Sequence, residues 1–235
     1  MPTERRGVIG ALAVAATLAI VAGLVDAVCF GRVFDVFPAN QSGNAVLLGI
    51  GLGRASAVES WRPAVSIVGF GFGVALGMVL GRRLRRPWRA ELLVVLELLL
   101  LVPIAVVVLD TSHPRTALDD VAAGLLLYVT STSMGLQTEV IGRVAGVGVA
   151  TTYQSGAIVR IAEEAAGRLR PGAPVRVGAA PLLSVLGTVL VAYVAGAAVG
   201  SALGDWSGAL LVPVGVLGVL GAVLAASAAR SRVVV

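Results

Sequence analysis

Six apolar runs constrain the fold of this chain more than any other feature of its sequence. They cover residues 8–30, 61–80, 91–109, 118–141, 179–203 and 208–228. Each is long enough as a helix to cross about 30 Å of hydrocarbon, which takes about 20 residues. With 57% hydrophobic and 13% charged residues, the chain lacks the polar surface of a soluble protein of its size. We therefore predict an all-α integral membrane protein with six transmembrane helices, in direct contact with the lipid bilayer.

A short polar pattern occurs twice within this apolar sequence. Each copy contains a Gly-Leu pair, a Gly-Arg-Val triplet and a Gln-Ser-Gly triplet, in that order. The first residues of these elements are Gly23, Gly31 and Gln41 in one copy, and Gly135, Gly142 and Gln154 in the other. The spacing between copies is nearly constant, which indicates an internal duplication. We therefore predict two repeats, residues 1–112 and 113–235, each containing three spans.

Arginine placement predicts the orientation, because short cytoplasmic loops are enriched in Arg and Lys. The densest arginine cluster lies in residues 81–89, whereas the loop at 110–120 is acidic. Both termini are then cytoplasmic. With three spans in each repeat, the two repeats have opposite orientations, as in inverted-repeat transporters.

Two segments must return to the face from which they start under this topology, and each contains one copy of the motif. Residues 31–60 begin and end outside, and residues 142–178 begin and end inside. We interpret each as a re-entrant hairpin with an extended limb, residues 33–39 or 144–150, followed by a half-helix. The half-helices, 42–53 and 155–166, are too short to cross the bilayer.

Glycines four residues apart recur in the second and fifth spans. They are Gly73, Gly77 and Gly81, and Gly196, Gly200 and Gly204. This spacing places small residues on one helix face and permits close helix packing. We predict packing within the chain, with a subunit interface in a homo-oligomer as the alternative.

The half-helix N-termini are the candidate binding site. Ser42 and Ser155 are expected N-caps, and the adjacent Gly43 and Gly156 permit an abrupt turn. Free N–H groups at such ends favour an anion or an electron-rich group. The alternative is that these residues simply terminate the helices.

Further polar side chains are predicted to lie close to these ends. The complete set of candidate substrate-binding residues is Asp26, Asn40, Gln41, Ser42, Gly43, Asn44, Gln137, Glu139, Thr151, Thr152, Tyr153, Gln154, Ser155 and Gly156. Carboxylates inside a membrane are costly unless they are paired, hydrated or protonated. Asp26 and Glu139 are therefore candidates for proton or cation coupling, with capping of hairpin N–H groups as the alternative. Glu97, alone in the third span, is expected to be structural or to snorkel toward the interface.

The residue inventory argues against several function classes. One cysteine and one histidine cannot form a Cys/His metal cluster, so we expect no bound metal and no cofactor. No nucleophile and base pair stands out, so we do not expect the protein to be an enzyme. The arginines lie at the ends of apolar runs and not on a soluble basic face, which argues against nucleic-acid binding.

The two motif copies also carry a family resemblance. Gly23-Leu-Val-Asp-Ala with Asn40-Gln-Ser-Gly-Asn44, and Gly135-Leu-Gln137 with Thr151-Thr-Tyr-Gln-Ser-Gly156, resemble the YoaK-like family of bacterial inner-membrane proteins. This resemblance implies six spans in the bacterial inner membrane and implies no particular activity. The second copy departs from the first because Ala157 stands where the first has Asn44.

These observations favour a small secondary transporter that binds a small anionic or polar solute at the membrane midplane, between the half-helix N-termini. A passive channel for a small solute is the first alternative. A non-transporting membrane scaffold or partner subunit is the second.

The predicted topology can be tested by cysteine-accessibility labelling in a Cys29→Ala background. A reporter cysteine at Ser56 is expected to react from the outer face, and one at Arg170 from the cytoplasmic face. Labelling of both from one side would contradict the inverted repeat, because it requires a different number of crossings.

Overall fold

A computed structural model describes residues 2–83, 86–110, 119–152, 154–168, 179–203 and 206–233. Within these ranges the chain forms eight α-helices. They are α1 (Pro2–Val28), α2 (Gln41–Gly53), α3 (Ala57–Arg83), α4 (Arg86–Asp110), α5 (Asp120–Gln137), α6 (Gln154–Arg168), α7 (Ala179–Ala202) and α8 (Leu211–Val233). A π-helix, Cys29–Val33, continues α1. The only strands in the described ranges are β1 (Arg143–Val144) and β2 (Val147–Gly148), which pair antiparallel. The predicted all-α class is confirmed.

Four helices are long and apolar enough to cross a membrane. These segments are Gly7–Val33, Ala57–Arg83, Arg89–Leu109 and Leu182–Ala202. The runs predicted at 118–141 and 208–228 are also largely helical, but α5 has 18 residues and the apolar part of α8 is the shorter Leu211–Ser227. Membrane-length helices are therefore confirmed for four of the six predicted spans, and the other two spans stay predictions.

The segment between α1 and α2 differs from the extended limb predicted for residues 33–39. Val33 ends the π-helix, and the chain then bends at 34–36, where Asp35 has a φ of 61°. Aspartate is among the residues that tolerate this left-handed region. The ring of Phe30 stacks on that of Phe37 with centroids 4.3 Å apart, which requires the chain to turn back between them.

The limb predicted as extended at 144–150 instead contains a tight β-hairpin. Val144 pairs with Val147, and the two residues between them, Ala145 and Gly146, have φ values of 50° and 79°. Positive φ at both central residues is typical of the two-residue turn that matches strand twist. Val149 N–H also donates to the Gly142 carbonyl at 3.1 Å, which closes the base of this hairpin.

Glycines bring α3 and α5 into close contact. A Cβ atom added at Gly73 would overlap the Thr132 carbonyl oxygen, and one added at Gly135 would overlap the Phe70 carbonyl oxygen. Only glycine allows the two backbones to approach this closely. The prediction that Gly73 mediates packing within the chain is confirmed.

The same kind of contact joins α1 and α7. A Cβ atom at Gly196 would overlap the Ile20 carbonyl oxygen, and one at Gly23 would overlap that of Tyr193. The remaining helices pack around these two pairs: α2 lies on α3, α6 lies on α7, and α4 lies between α5 and α8. The two glycine-packed pairs therefore form the centre of the fold.

A matched pair of glycine substitutions in α3 tests this packing. Gly73→Ala is expected to lower the free energy of unfolding by about 1–3 kcal/mol, because the new methyl group overpacks the contact with α5. Gly71→Ala is the control, since a Cβ atom there meets nothing within 4 Å. Thermal unfolding of both variants in the same detergent gives the comparison, and an equal loss in both would contradict the close approach.

Candidate functional site

Asp26, near the end of α1, links three elements through its buried carboxyl group. Its Oδ1 atom accepts a hydrogen bond from the Ala39 N–H at 2.7 Å, and Oδ2 accepts one from the Tyr193 hydroxyl at 2.5 Å. The side chain is 2% exposed. Asp26 therefore ties α1 to the segment before α2 and to α7, in agreement with the capping alternative.

Asn44, in the first turn of α2, is the centre of a second buried network. Its Oδ1 atom accepts from the Phe37 N–H at 2.9 Å, and its Nδ2 atom donates to the Phe37 carbonyl at 2.5 Å. Nδ2 also lies 2.9 Å from Gln41 Oε1 and 2.9 Å from Ser66 Oγ. One side chain thus satisfies both backbone groups of Phe37, a residue that no helix or strand contains.

Ser66 extends this network to α3 and α5. Its hydroxyl lies 3.0 Å from the Phe37 carbonyl and 2.9 Å from the hydroxyl of Ser131. Gln41 Nε2 donates to the Pro38 carbonyl at 2.8 Å. The polar side chains of α2 are therefore used to hold the irregular segment in place.

The cap of α2 is Asn40 and not the expected Ser42. Asn40 Oδ1 accepts from the Gly43 N–H at 3.3 Å, and the exposed Ser42 hydroxyl donates to the same oxygen at 2.8 Å. The N–H groups of Gln41 and Asn44 bond to the carbonyls of Ala39 and Asn40. Three N–H groups of this first turn, which were expected to face an anion, thus have partners within the protein.

The second set of polar groups centres on Gln137 at the end of α5. Its Nε2 atom donates to the Leu18 carbonyl at 2.9 Å and to Thr151 Oγ1 at 2.8 Å. Gln154 Nε2 donates to the Thr151 carbonyl at 2.9 Å. The Oε1 atoms of Gln137 and Gln154 are both buried and have no hydrogen-bond partner among the described residues. This part of the site therefore holds two buried acceptors that no described residue uses.

Glu139 is engaged in an ion pair with Arg89 at 3.0 Å, which joins the end of α5 to the start of α4. Thr152 is buried, whereas Ser155 is exposed and Gly156 is half-buried. Tyr153 lies outside the described residues.

The predicted residues therefore form two groups and not one. Along α5, Ser131 and Gln137 are separated by roughly 9 Å at 1.5 Å per residue. Along α1, Leu18 and Asp26 are separated by roughly 12 Å on the same basis. Hydrogen bonds place one group around the start of α2 and the other around Gln137 and Thr151.

Three side chains of these networks were missed in the sequence analysis: Ser66, Ser131 and Tyr193. Ser66 and Tyr193 are single polar residues within apolar runs, a pattern that does not identify the helix that each faces. The signal available for Ser131 was its place in four consecutive hydroxyl residues, 130–133, all of which are buried.

Substitution of Asn44 tests the network at the start of α2. Asn44→Ala is expected to lower the free energy of unfolding by about 1–3 kcal/mol, because it leaves the Phe37 N–H without its partner and removes one of the donors to the Phe37 carbonyl. Ser42→Ala, at an exposed position two residues away, should change it by less than about 0.5 kcal/mol. Equal unfolding midpoints for the two variants in detergent would contradict the network.

Comparisons with known proteins agree with a membrane protein. The family model described as Protein of unknown function (DUF1275) matches residues 14–224. The UPF0700 transmembrane protein YoaK of Bacillus subtilis (strain 168) is 29% identical over 153 residues, or 65% of this chain and 66% of that protein. That alignment thus spans just under two thirds of the relative. No solved structure matches. The resemblance to YoaK-like proteins is confirmed.

Proposed function

The chain belongs to the DUF1275 family of proteins of unknown function, and we propose that it is a secondary transporter for a small polar solute. The chain is a multi-pass integral membrane protein, so its function operates in or across a bilayer. The observation that carries the proposal is the pair of unused, buried acceptor atoms on Gln137 and Gln154.

An inverted repeat is the first element of the proposal, and the glycine contacts support it. Gly73 lies 123 residues before Gly196. The residues whose carbonyl oxygens they face, Thr132 and Ile20, are 112 residues apart, as are the two Gly-Leu pairs. The next glycine of each helix repeats these sequence separations. Gly77 faces Leu136 and Glu139, and Gly200 faces Leu24 and Ala27. A two-fold relation between residues 1–112 and 113–235 accounts for all of these contacts.

This relation suggests how the protein moves. Each glycine-packed pair, α1 with α7 and α3 with α5, takes one helix from each proposed repeat. In alternating access, one half of a transporter rocks against the other around a site near the midplane. We infer that the two pairs are the rigid bodies, that residues 31–60 and 142–178 are the re-entrant hairpins, and that both termini are cytoplasmic.

The chemistry of the solute follows from the two glutamine side chains. The amide nitrogen of each donates to a carbonyl oxygen, that of Leu18 for Gln137 and that of Thr151 for Gln154. A flipped amide would place two oxygens against each other, so Oε1 is the free atom in both. Buried acceptors require a donor. We therefore propose a solute with N–H or O–H groups, such as an amine, an amide or an alcohol, in preference to an anion.

The solute proposal can be tested with Gln137→Met, which keeps the side-chain length and removes the acceptor. In proteoliposomes and in thermal-shift assays, the probes are methylammonium, urea, glycerol, acetate and phosphate. Loss of one hydrogen bond should weaken binding of a donor-bearing probe about tenfold, equivalent to about 1.4 kcal/mol.

Gln41→Met is the matched control, because both ends of the Gln41 amide are already bonded within the protein. It should lower stability without changing the choice of probe. Acetate has no N–H or O–H group at neutral pH, so binding of acetate that survives in Gln137→Met would contradict the donor-bearing solute. A protein that binds and moves none of the probes would favour a scaffold.

Asp26→Asn tests whether this residue couples transport to protons. The amide keeps the shape of the side chain and loses ionisation, so a coupling role predicts folded protein whose uptake no longer depends on pH. Since the Asp26 carboxylate accepts two hydrogen bonds, a purely capping role predicts a lower unfolding midpoint with unchanged pH dependence. Tyr193→Phe, which removes one of those bonds, measures the structural part alone.

A further inference from the structure

Glu97 lies near the midpoint of the apolar segment Arg89–Leu109 of α4, with its side chain fully buried. Its exposed fraction is 0%, and neither carboxyl oxygen has a hydrogen-bond partner within the described ranges of the chain. The expectation that this side chain snorkels toward the interface is wrong. A carboxyl group at this depth needs a partner, a proton or water, because an isolated charge is costly to remove from water.

Packing alone does not explain a glutamate at this position. Apart from Glu91 near its start, the buried face of α4 is apolar along the helical repeat, with Leu93, Val94, Leu101, Ile104, Ala105 and Val108 on it. Glu97 occupies the central position of this stripe. A leucine there would continue the stripe without any polar group to satisfy.

The helices around α4 place no cation beside Glu97 in the part of the chain that the structure describes. Ser133 is the residue of α5 that lies level with Glu97, because its hydroxyl donates to the Glu97 backbone carbonyl at 3.0 Å. Glu139 lies beyond the end of α5 and is paired with Arg89. Tyr128 lies in the other direction along α5 and faces Phe72 of α3.

The other two neighbouring helices are also uncharged at this depth. The described side chains of α8 between Leu211 and Ser227 include no charged residue, and neither does α3 between residues 63 and 81. The charged residues of α3 that the structure describes lie at its two ends: Glu59, Arg62, Arg82 and Arg83.

A proton fits this environment better than a metal ion. Hard cations such as Ca²⁺ or Mg²⁺ require several oxygen ligands. Among the described residues, no three His, Cys, Asp or Glu side chains lie close enough together to hold a metal ion. The nearby Ser133 hydroxyl is already bonded to the backbone of α4.

We propose that Glu97 is a proton-binding site in the membrane interior. It holds its proton in this conformation and releases it to water only when α4 separates from α5 and α8. Ser131 of α5 bonds to Ser66 of α3, and Ser66 bonds to Asn44 of α2. A movement of α5 would therefore also displace α2. Proton release at Glu97 is therefore linked to the position of α5.

Infrared spectroscopy of the purified protein in nanodiscs tests this proposal without any transport assay. The difference spectrum between wild type and Glu97→Gln at neutral pH should contain the C=O stretch of a protonated carboxylic acid. This band should shift in D₂O after prolonged exchange. Glu59→Gln is the control, because this exposed glutamate is paired with Arg54 and should contribute only carboxylate bands.

Two outcomes would overturn the proposal. The first is a difference spectrum in which Glu97→Gln removes carboxylate bands and no acid band. The second is an acid band that disappears on adding Na⁺ at constant pH, which would indicate a cation site. Glu97→Leu, which continues the apolar stripe, replaces Glu97→Gln in the same measurement if the glutamine variant does not fold. Because no solute is involved, the result is independent of the proposed transport.

Discussion

Satisfaction of the backbone hydrogen bonds in a buried, non-helical segment is the constraint on which this structure depends. A buried N–H or C=O group without a partner is costly, so the backbone groups at a break in a helix are satisfied from within the protein. The chain breaks after the π-helix at Val33 and does not resume a helix until Gln41. Asp26 and Asn44 supply the missing partners from the two flanking helices, and Ser66 supplies them from α3. The position of α3 follows from this requirement.

Close backbone approach then fixes the rest of the bundle. Apolar side chains do not drive helices together in lipid as they do in water, so association depends on tight packing and on hydrogen bonds between helices. The pairs α1–α7 and α3–α5 have both, because glycine contacts and polar bonds occur on the same helix faces. Tyr193, whose hydroxyl bonds to Asp26, also supplies the carbonyl that faces Gly23. The groups that hold the helices together and the candidate site thus share residues.

Much of the fold could be predicted from the sequence because the length and hydropathy of a helix depend only on residues that are neighbours in the chain. The short helices α2 and α6 and the glycine faces were predictable for the same reason, since each depends on spacing within one helix. Partners across helices were not: Ser66 and Ser131 are ordinary hydroxyl residues until α3 and α5 are placed side by side. The cap was misassigned because Asn40 and Ser42 are both good N-caps two residues apart. Snorkelling of Glu97 was wrongly expected because its burial depends on where α5 and α8 lie.

The two motif copies differ in sequence because each satisfies its backbone hydrogen bonds in a different way. In the first copy, Asn44 satisfies both backbone groups of Phe37. The corresponding residue of the second copy, Ala157, has no polar atom with which to do so. There the backbone satisfies itself, through the pairing of Val144 with Val147 and the bond from Val149 to Gly142. A β-hairpin thus replaces the side-chain network, and the nearby glutamine amides keep acceptor atoms that are not needed to hold the chain. The first copy is closed by its own polar groups, whereas in the second the Oε1 atoms of Gln137 and Gln154 have no hydrogen-bond partner among the described residues.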